Sequence, residues 1–139
     1  MKKYIALLLV VVLAIAAIGC GKKDAGSDAL KIGVILVGDE NEGYTYAHIE
    51  GMKEAMKTLG IKDEQVIWKY TIPEDETCYD TAVDLAEQGC KIIFSNSYSH
   101  QSYMVQAAEE YPDVVFCPAT GDTANVCGLA NVVNFFPHT

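Results

Sequence analysis

The side chains able to do covalent chemistry are few and scattered along this chain. Its three histidines, His48, His100 and His138, belong to no His-Glu-x-x-His pair, and no Gly-x-Ser-x-Gly elbow is present. A zinc-bound water and an activated serine therefore both lack their usual frameworks. Ser97 and Ser99 have no assignable base and orienting acid, and read as helix caps or ligand contacts. Cys78, Cys90, Cys117 and Cys127 contain no Cys-x-x-Cys pair. They could form two disulfides in any of three pairings. Cys117 falls on an expected core strand and Cys78 on an expected helix, however, where small buried thiols are common. Free buried thiols are the expectation.

Gly38 and Gly43 have the spacing of a phosphate-binding loop after a strand, but Tyr44-Thr45 follows where Lys-Ser/Thr is required. With Asp39, Glu40 and Glu42 inside the loop, a phosphate would be repelled. The same loop matches part of a calcium-loop pattern through Asp39, Asn41, Gly43 and Glu50. Tyr44 stands where that pattern requires glycine. Neither a metal nor a cofactor is expected. The aromatics divide by position. Trp68, Tyr103 and Tyr111 fit core-facing places on a strand and a helix. Tyr44 and Tyr98 fall in loops, where a ring can stack on a flat ligand while polar neighbours orient it.

Composition narrows the partners. Of 139 residues, 10 are basic and 19 acidic, for a formal charge of −9, and every basic residue is lysine. Nucleic acid is excluded, because a backbone binder needs a basic face. Lys2 and Lys3 precede an uncharged apolar run from Tyr4 to Ile18. That run is shorter than the ~20 residues of a membrane span and suits a secretory signal. Ala17-Ile18-Gly19-Cys20 resembles the lipobox of bacterial lipoproteins. Residues 1–19 are thus expected to be a signal peptide. Cys20 becomes a lipidated N-terminus, and 20–30 a small, polar, flexible tether. The folded part, 31–139, is expected on the extracytoplasmic face of the cell membrane.

The elements that must position these residues alternate. Lys31–Val37 reads as a buried strand. Ile49, Met52, Met56 and Leu59 recur at helical spacing from Thr45 onward, and Gly60 closes that helix. Val66–Tyr70 reads as the second strand. Pro73 and the acidic 74–76 open a helix that ends at Gly89. Ile92–Phe94 is a third strand, and Ser97 or Ser99 caps a helix stopped by Pro112. Val114–Cys117 and Asn131–Phe136 read as strands four and five. Alternation of this kind specifies an α/β fold, a three-layer parallel sheet with right-handed crossovers. Its ligands bind at the C-terminal ends of the strands. The loops 38–45, 71–74, 95–100 and 118–123 are therefore the candidate ligand wall.

Lys31-Ile-Gly-Val-Ile-Leu-Val-Gly38, Gly43-Tyr-Thr-Tyr-Ala-His-Ile-Glu-Gly51, Ala86-Glu-Gln-Gly-Cys-Lys-Ile-Ile-Phe94, Tyr111-Pro-Asp-Val-Val-Phe116 and Ala119-Thr-Gly121 occur in this order. Together they resemble the basic membrane protein family, PnrA-like lipoprotein substrate-binding proteins of ABC transporters, over residues 31–136. The resemblance implies a periplasmic-binding-protein type I (flavodoxin-like) lobe, a purine nucleoside or nucleobase as ligand, and an ABC permease as partner. It places Tyr44 on the stacking aromatic and Thr45 on the polar residue after it. Ser95, Asn96, Ser97 and Tyr98 match the loop after the third strand, and Thr120 and Gly121 the loop after the fourth. Tyr44 replaces the family's Trp or Phe, adding a hydroxyl that must find a partner. The family continues into a second lobe, so the chain reads as an incomplete first lobe. The expected function is capture of a solute for import, without catalysis. The alternatives are a ligand-sensing receptor on the same fold or a non-functional truncated remnant. An exported flavodoxin-like enzyme is the poorest fit, since no catalytic constellation is visible.

Overall fold

The computed structural model describes residues 29–135. Four short strands, β1 (Ile32–Ile35), β2 (Val66–Lys69), β3 (Ile92–Ser95) and β4 (Val115–Pro118), form one sheet in the order β2-β1-β3-β4. All three pairings are parallel, with Val34 opposite Trp68 and Phe94, and Phe94 opposite Cys117. Three helices make the crossovers: α1 (Gly43–Leu59), α2 (Glu76–Glu87) and α3 (Gln101–Glu110). The α/β class and the parallel sheet expected from the alternation are those observed. Among the described residues no helix is long and apolar enough to cross a membrane. The signal, lipobox and tether lie outside the described residues, apart from the last two tether positions.

Alternation along the strands divides the core in two. Ile35, Ile93 and Phe116 point to the face covered by α2 and α3, where they meet Cys78, Ala82, Leu85, Met104 and Ala107. The spacing of Cys78, Ala82, Leu85 and Ala86 puts one apolar stripe of α2 onto the sheet. That helix comes so close that a Cβ on Gly33 would sit 2.8 Å from Leu85 Cδ1. Leu85 is fully buried, a placement worth about 1.5–3 kcal/mol. On the opposite face Ile32, Val34, Leu36 and Val66 meet Ile49 and Met56 of α1.

Two expectations need correction. The fifth strand is not continuous. Residues 131–135 make only single parallel bridges, Phe116 to Val132 and Ala119 to Phe135. The apolar run Val132-Val133 gave a strand signal that the backbone follows only at its two ends. The helix after β3 begins with a 3-10 turn, Tyr98–His100, capped by Ser97, before α3 proper.

Candidate ligand-binding site

Strands are added to opposite sides of β1, β2 on one and β3 on the other, and in parallel sheets the loops after the strands at such a switch point are where ligands bind. One side chain bridges the loops after β1 and β3. Tyr44, in the first turn of α1, donates its hydroxyl to Asn96 O at 2.6 Å. The partner required by the extra hydroxyl is thus a backbone carbonyl in the loop after β3. Burial, then the Glu42 charge, push the Tyr44 phenol up from its ordinary value. Its ring remains 44% exposed at the rim.

Asn96 is itself a bracket. Its Oδ1 accepts from Val37 N at 2.8 Å, and its Nδ2 reaches Thr45 Oγ1 at 3.3 Å. Thr45 and Asn96 are both buried, so their polar groups tie the first and third loops together. Ser97 is buried too. It donates to the Glu74 carboxylate and accepts from Ser99 N, tying the third loop to the second. Ser95, at the end of β3, has a buried hydroxyl without a partner among the described residues. Gly121 is buried where a Cβ would sit 2.9 Å from Gln101 Oε1. That oxygen caps the amides of Asp122 and Thr123. Tyr98 is exposed at the rim, its hydroxyl 3.5 Å from Asp122 Oδ2. Thr120 is half-buried and donates to Ala119 O at 2.8 Å. All eight positions therefore gather at one edge of the sheet. Tyr44, Tyr98 and Thr120 are at least partly exposed there, Thr45, Asn96, Ser97 and Gly121 are spent on holding it, and the Ser95 hydroxyl is left unpartnered.

The edge is acidic and its helix ends are already occupied. The Glu42 carboxylate accepts from Thr45 N and Tyr44 N, and these amides hold it below the usual carboxylate range. The Asp75 carboxylate accepts from Thr77 N and is likewise lowered. An anion arriving at either helix would have to displace a carboxylate. Asp39, Glu40, Glu74 and Asp122 lie in the same loops. Among the described residues no group of histidine, cysteine and acidic side chains is arranged to hold a metal. The four cysteines are free. Burial pushes the Cys78 thiol up to about 12 and the Cys117 thiol to about 11, so neither is a nucleophile at neutral pH.

Several residues at this edge escaped sequence reasoning. Along the α1 side of the sheet runs an apolar groove of about 450 Å³, lined by Tyr44, Ser95 and Asn96 at the strand ends and by His48, Met52, Phe94 and Phe135 deeper in. His48 meets Tyr44 edge to face at 4.7 Å, and Phe94 meets Phe135 at 5.5 Å. Burial lowers the His48 pKa from its ordinary value, opposed by Glu42. The spacing of Tyr44 and His48, four apart on a helix, carried the signal for that pair. Thr71 and Thr120 adopt left-handed backbone, with φ of 54° and 53°. Nothing in the sequence announces a β-branched residue in that region.

No protein-family model matches the chain. It is a distant homologue of a purine-binding protein of Brucella abortus (strain 2308), 30% identical over 112 residues, 80% of this chain and 32% of that protein. The chain thus spans about a third of the curated relative it matches. Its fold is shared with an ABC transporter system solute-binding protein from Conexibacter woesei DSM 14684. There the TM-score is 0.66 and the identity 22%, over 78% of this chain and 35% of that one. It is also shared with a transcriptional activator of the comK gene from Bacillus halodurans. The TM-score there is 0.61 and the identity 20%, over 75% of this chain and 33% of that one.

Proposed function

We propose that residues 31–135 form one wall of a solute receptor that captures a purine nucleoside or nucleobase for an ABC permease, without catalysis. The observation that carries this reading is the 30% identity to a purine-binding protein over a stretch whose polar loops converge on one sheet edge. The chemistry of that edge supports it. Tyr44 and Tyr98 offer exposed rings for a flat heterocycle. The acidic loops and carboxylate-capped helices favour a neutral ligand over a phosphorylated one. Residues 1–19 are assigned as the export signal and Cys20 as the lipid-bearing N-terminus, which would hold the receptor beside its permease.

The test is a titration of the chain with adenine, adenosine and adenosine monophosphate, followed by calorimetry or NMR. The base or the nucleoside is expected to bind weakly, because a single wall cannot bury the ~70–90% of a ligand that a closed pocket covers. The monophosphate is expected to bind at least about tenfold less well, a difference of about 1.4 kcal/mol. Equal or tighter binding of the monophosphate would overturn the reading of the edge. Absence of any purine effect on the chain, with binding of another solute class in its place, would overturn the choice of ligand.

A further inference from the structure

His100 has no part in the site as described so far, yet it is 0% exposed, directly beneath the loops that form it. It ends the 3-10 turn Tyr98–His100 and stands at the start of α3. Its Nε2 lies 3.2 Å from Ile72 O in the loop after β2. A carbonyl only accepts, so Nε2 carries the proton and Nδ1 does not. Nδ1 is buried with no partner among the described residues. One residue before Ile72 is Thr71, held at φ 54°. A β-branched residue in that region is strained and persists only while its surroundings impose it. The constraints on this loop are few. Thr71 N and Ile72 N donate to Gly38 O and Leu36 O, His100 reaches Ile72 O, and Ser97 donates to Glu74.

We propose that His100 is a proton-operated latch: neutral, it fastens the loop after β2 to the segment after β3, and protonation releases both together with strained Thr71. A second proton would go to Nδ1, which has no hydrogen-bond partner among the described residues, and leave a charge in the interior; the Ile72 and Pro73 backbone offsets that burial only in part. The charged groups facing His100 are Glu74 and Asp75, from the loop and the cap of α2. Both are already engaged, Glu74 by the Ser97 hydroxyl and Asp75 by Thr77 N. If either turned to the imidazolium it would abandon the contact that holds the second loop. On its own side, the positive N-terminal end of α3 also opposes the charge. Burial accordingly keeps the His100 pKa below its ordinary value of 6.5. The sign follows by linkage. The open form takes up a proton at an ordinary imidazole value and the closed form resists it, so opening gains as pH falls below about 6.5. The gain is about tenfold per pH unit until the closed form's own value is reached. His100 is a positioning residue on this account. The latch rests on the reading of these loops as the ligand wall, and acid would loosen that wall.

The experiment uses the full chain without ligand, so its failure is distinct from failure of the purine reading, which would leave the latch intact. Imidazole nitrogen shifts of His100 and hydrogen exchange at the Thr71, Ile72 and His100 amides are followed by NMR from pH 7.5 to 5.0. The expected result is exchange at those amides, normalised to free peptide, rising about tenfold per pH unit below about 6.5, together with protonation of Nδ1. His100→Gln, which keeps a donor and cannot titrate, is expected to remove the acid response. The latch is overturned if Nδ1 protonates while the amides stay protected, if no acid response occurs, or if His100→Gln responds as the wild type does. Should that variant fail to fold, coincidence of the two titrations in the wild type decides alone.

Discussion

The two ends of the sheet meet the same geometric demand with different residues. At the N-terminal end of the strands, α1 and α2 stop in left-handed backbone on glycine, Gly60 at φ 68° and Gly89 at φ 89°. After Gly89 the turn closes with Gly89 N to Ala86 O and Cys90 N to Leu85 O, a paired helix stop. At the C-terminal end, left-handed backbone falls on Thr71 and Thr120 instead. Glycine would serve there without strain. The charges differ as well: at one end Lys31, Lys62 and Lys91 are mixed with Asp63, Glu64 and Asp113, while the loops at the other end hold Asp39, Glu40, Glu42, Glu74, Asp75 and Asp122. One end closes its helices in unstrained glycine turns. The other keeps strain, buried hydroxyls and concentrated negative charge, features that collect where a surface is kept for binding.

The comparison can be broken in several places. The largest effect is expected from Asn96→Ala, which leaves the Val37 amide without its acceptor and frees Thr45 at the same time. A loss of about 2–3 kcal/mol is expected in urea unfolding. A loss below about 1 kcal/mol would mean that the bracket is dispensable. Next is Gly89→Ala, which forces a Cβ into left-handed backbone at the other end. Roughly 1–2 kcal/mol should be lost, with ligand binding unchanged once the chain is folded. Thr71→Gly and Thr120→Gly should behave in the opposite sense. Each relieves strain, and each should leave stability unchanged or raise it by up to about 1 kcal/mol, after the greater freedom of glycine in the unfolded chain is counted. Purine binding should weaken in both. A clear drop in stability would show that threonine is structural at these positions. The smallest effect concerns acid. Glu42 and Asp75 have lowered folded values, so the unfolded chain binds their protons first. Their contribution is complete above about pH 4.5 and is lost as pH falls through the folded values. Glu42→Gln should flatten part of that acid limb in a thermal melt followed between pH 3 and 6.

The same contrast explains what was legible in the sequence. Ile32-Gly33-Val34-Ile35, the helical spacing of Ile49, Met52 and Met56, and the stops at Gly60 and Gly89 all follow from local rules, and each element formed close to its expected place. The candidate loops were legible for the same reason, since strand ends in such a sheet fix where loops gather. The interactions inside the edge were not. The Tyr44 hydroxyl reaches a carbonyl 52 residues away, and Ser97 a carboxylate 23 residues away. His100 belongs to no motif because its partner, Ile72 O, is a backbone atom. The stretch after β4 misled for a related reason. Val132-Val133 is apolar, but its pairing depends on β4 at only two points.

The central claim is that the C-terminal end of the strands, where the loops meet the mouth of the groove at Tyr44, Ser95 and Asn96, and not the opposite end, receives a purine. Amide shift mapping during titration with adenosine and with adenine tests it directly, since weak binding suffices. The account predicts perturbations concentrated at Tyr44, Ser97, Tyr98, Thr120 and Gly121, with Gly60, Gly89 and Lys91 unmoved. Perturbations confined to Gly60, Gly89 and Lys91, or spread without preference between the two ends, would contradict it.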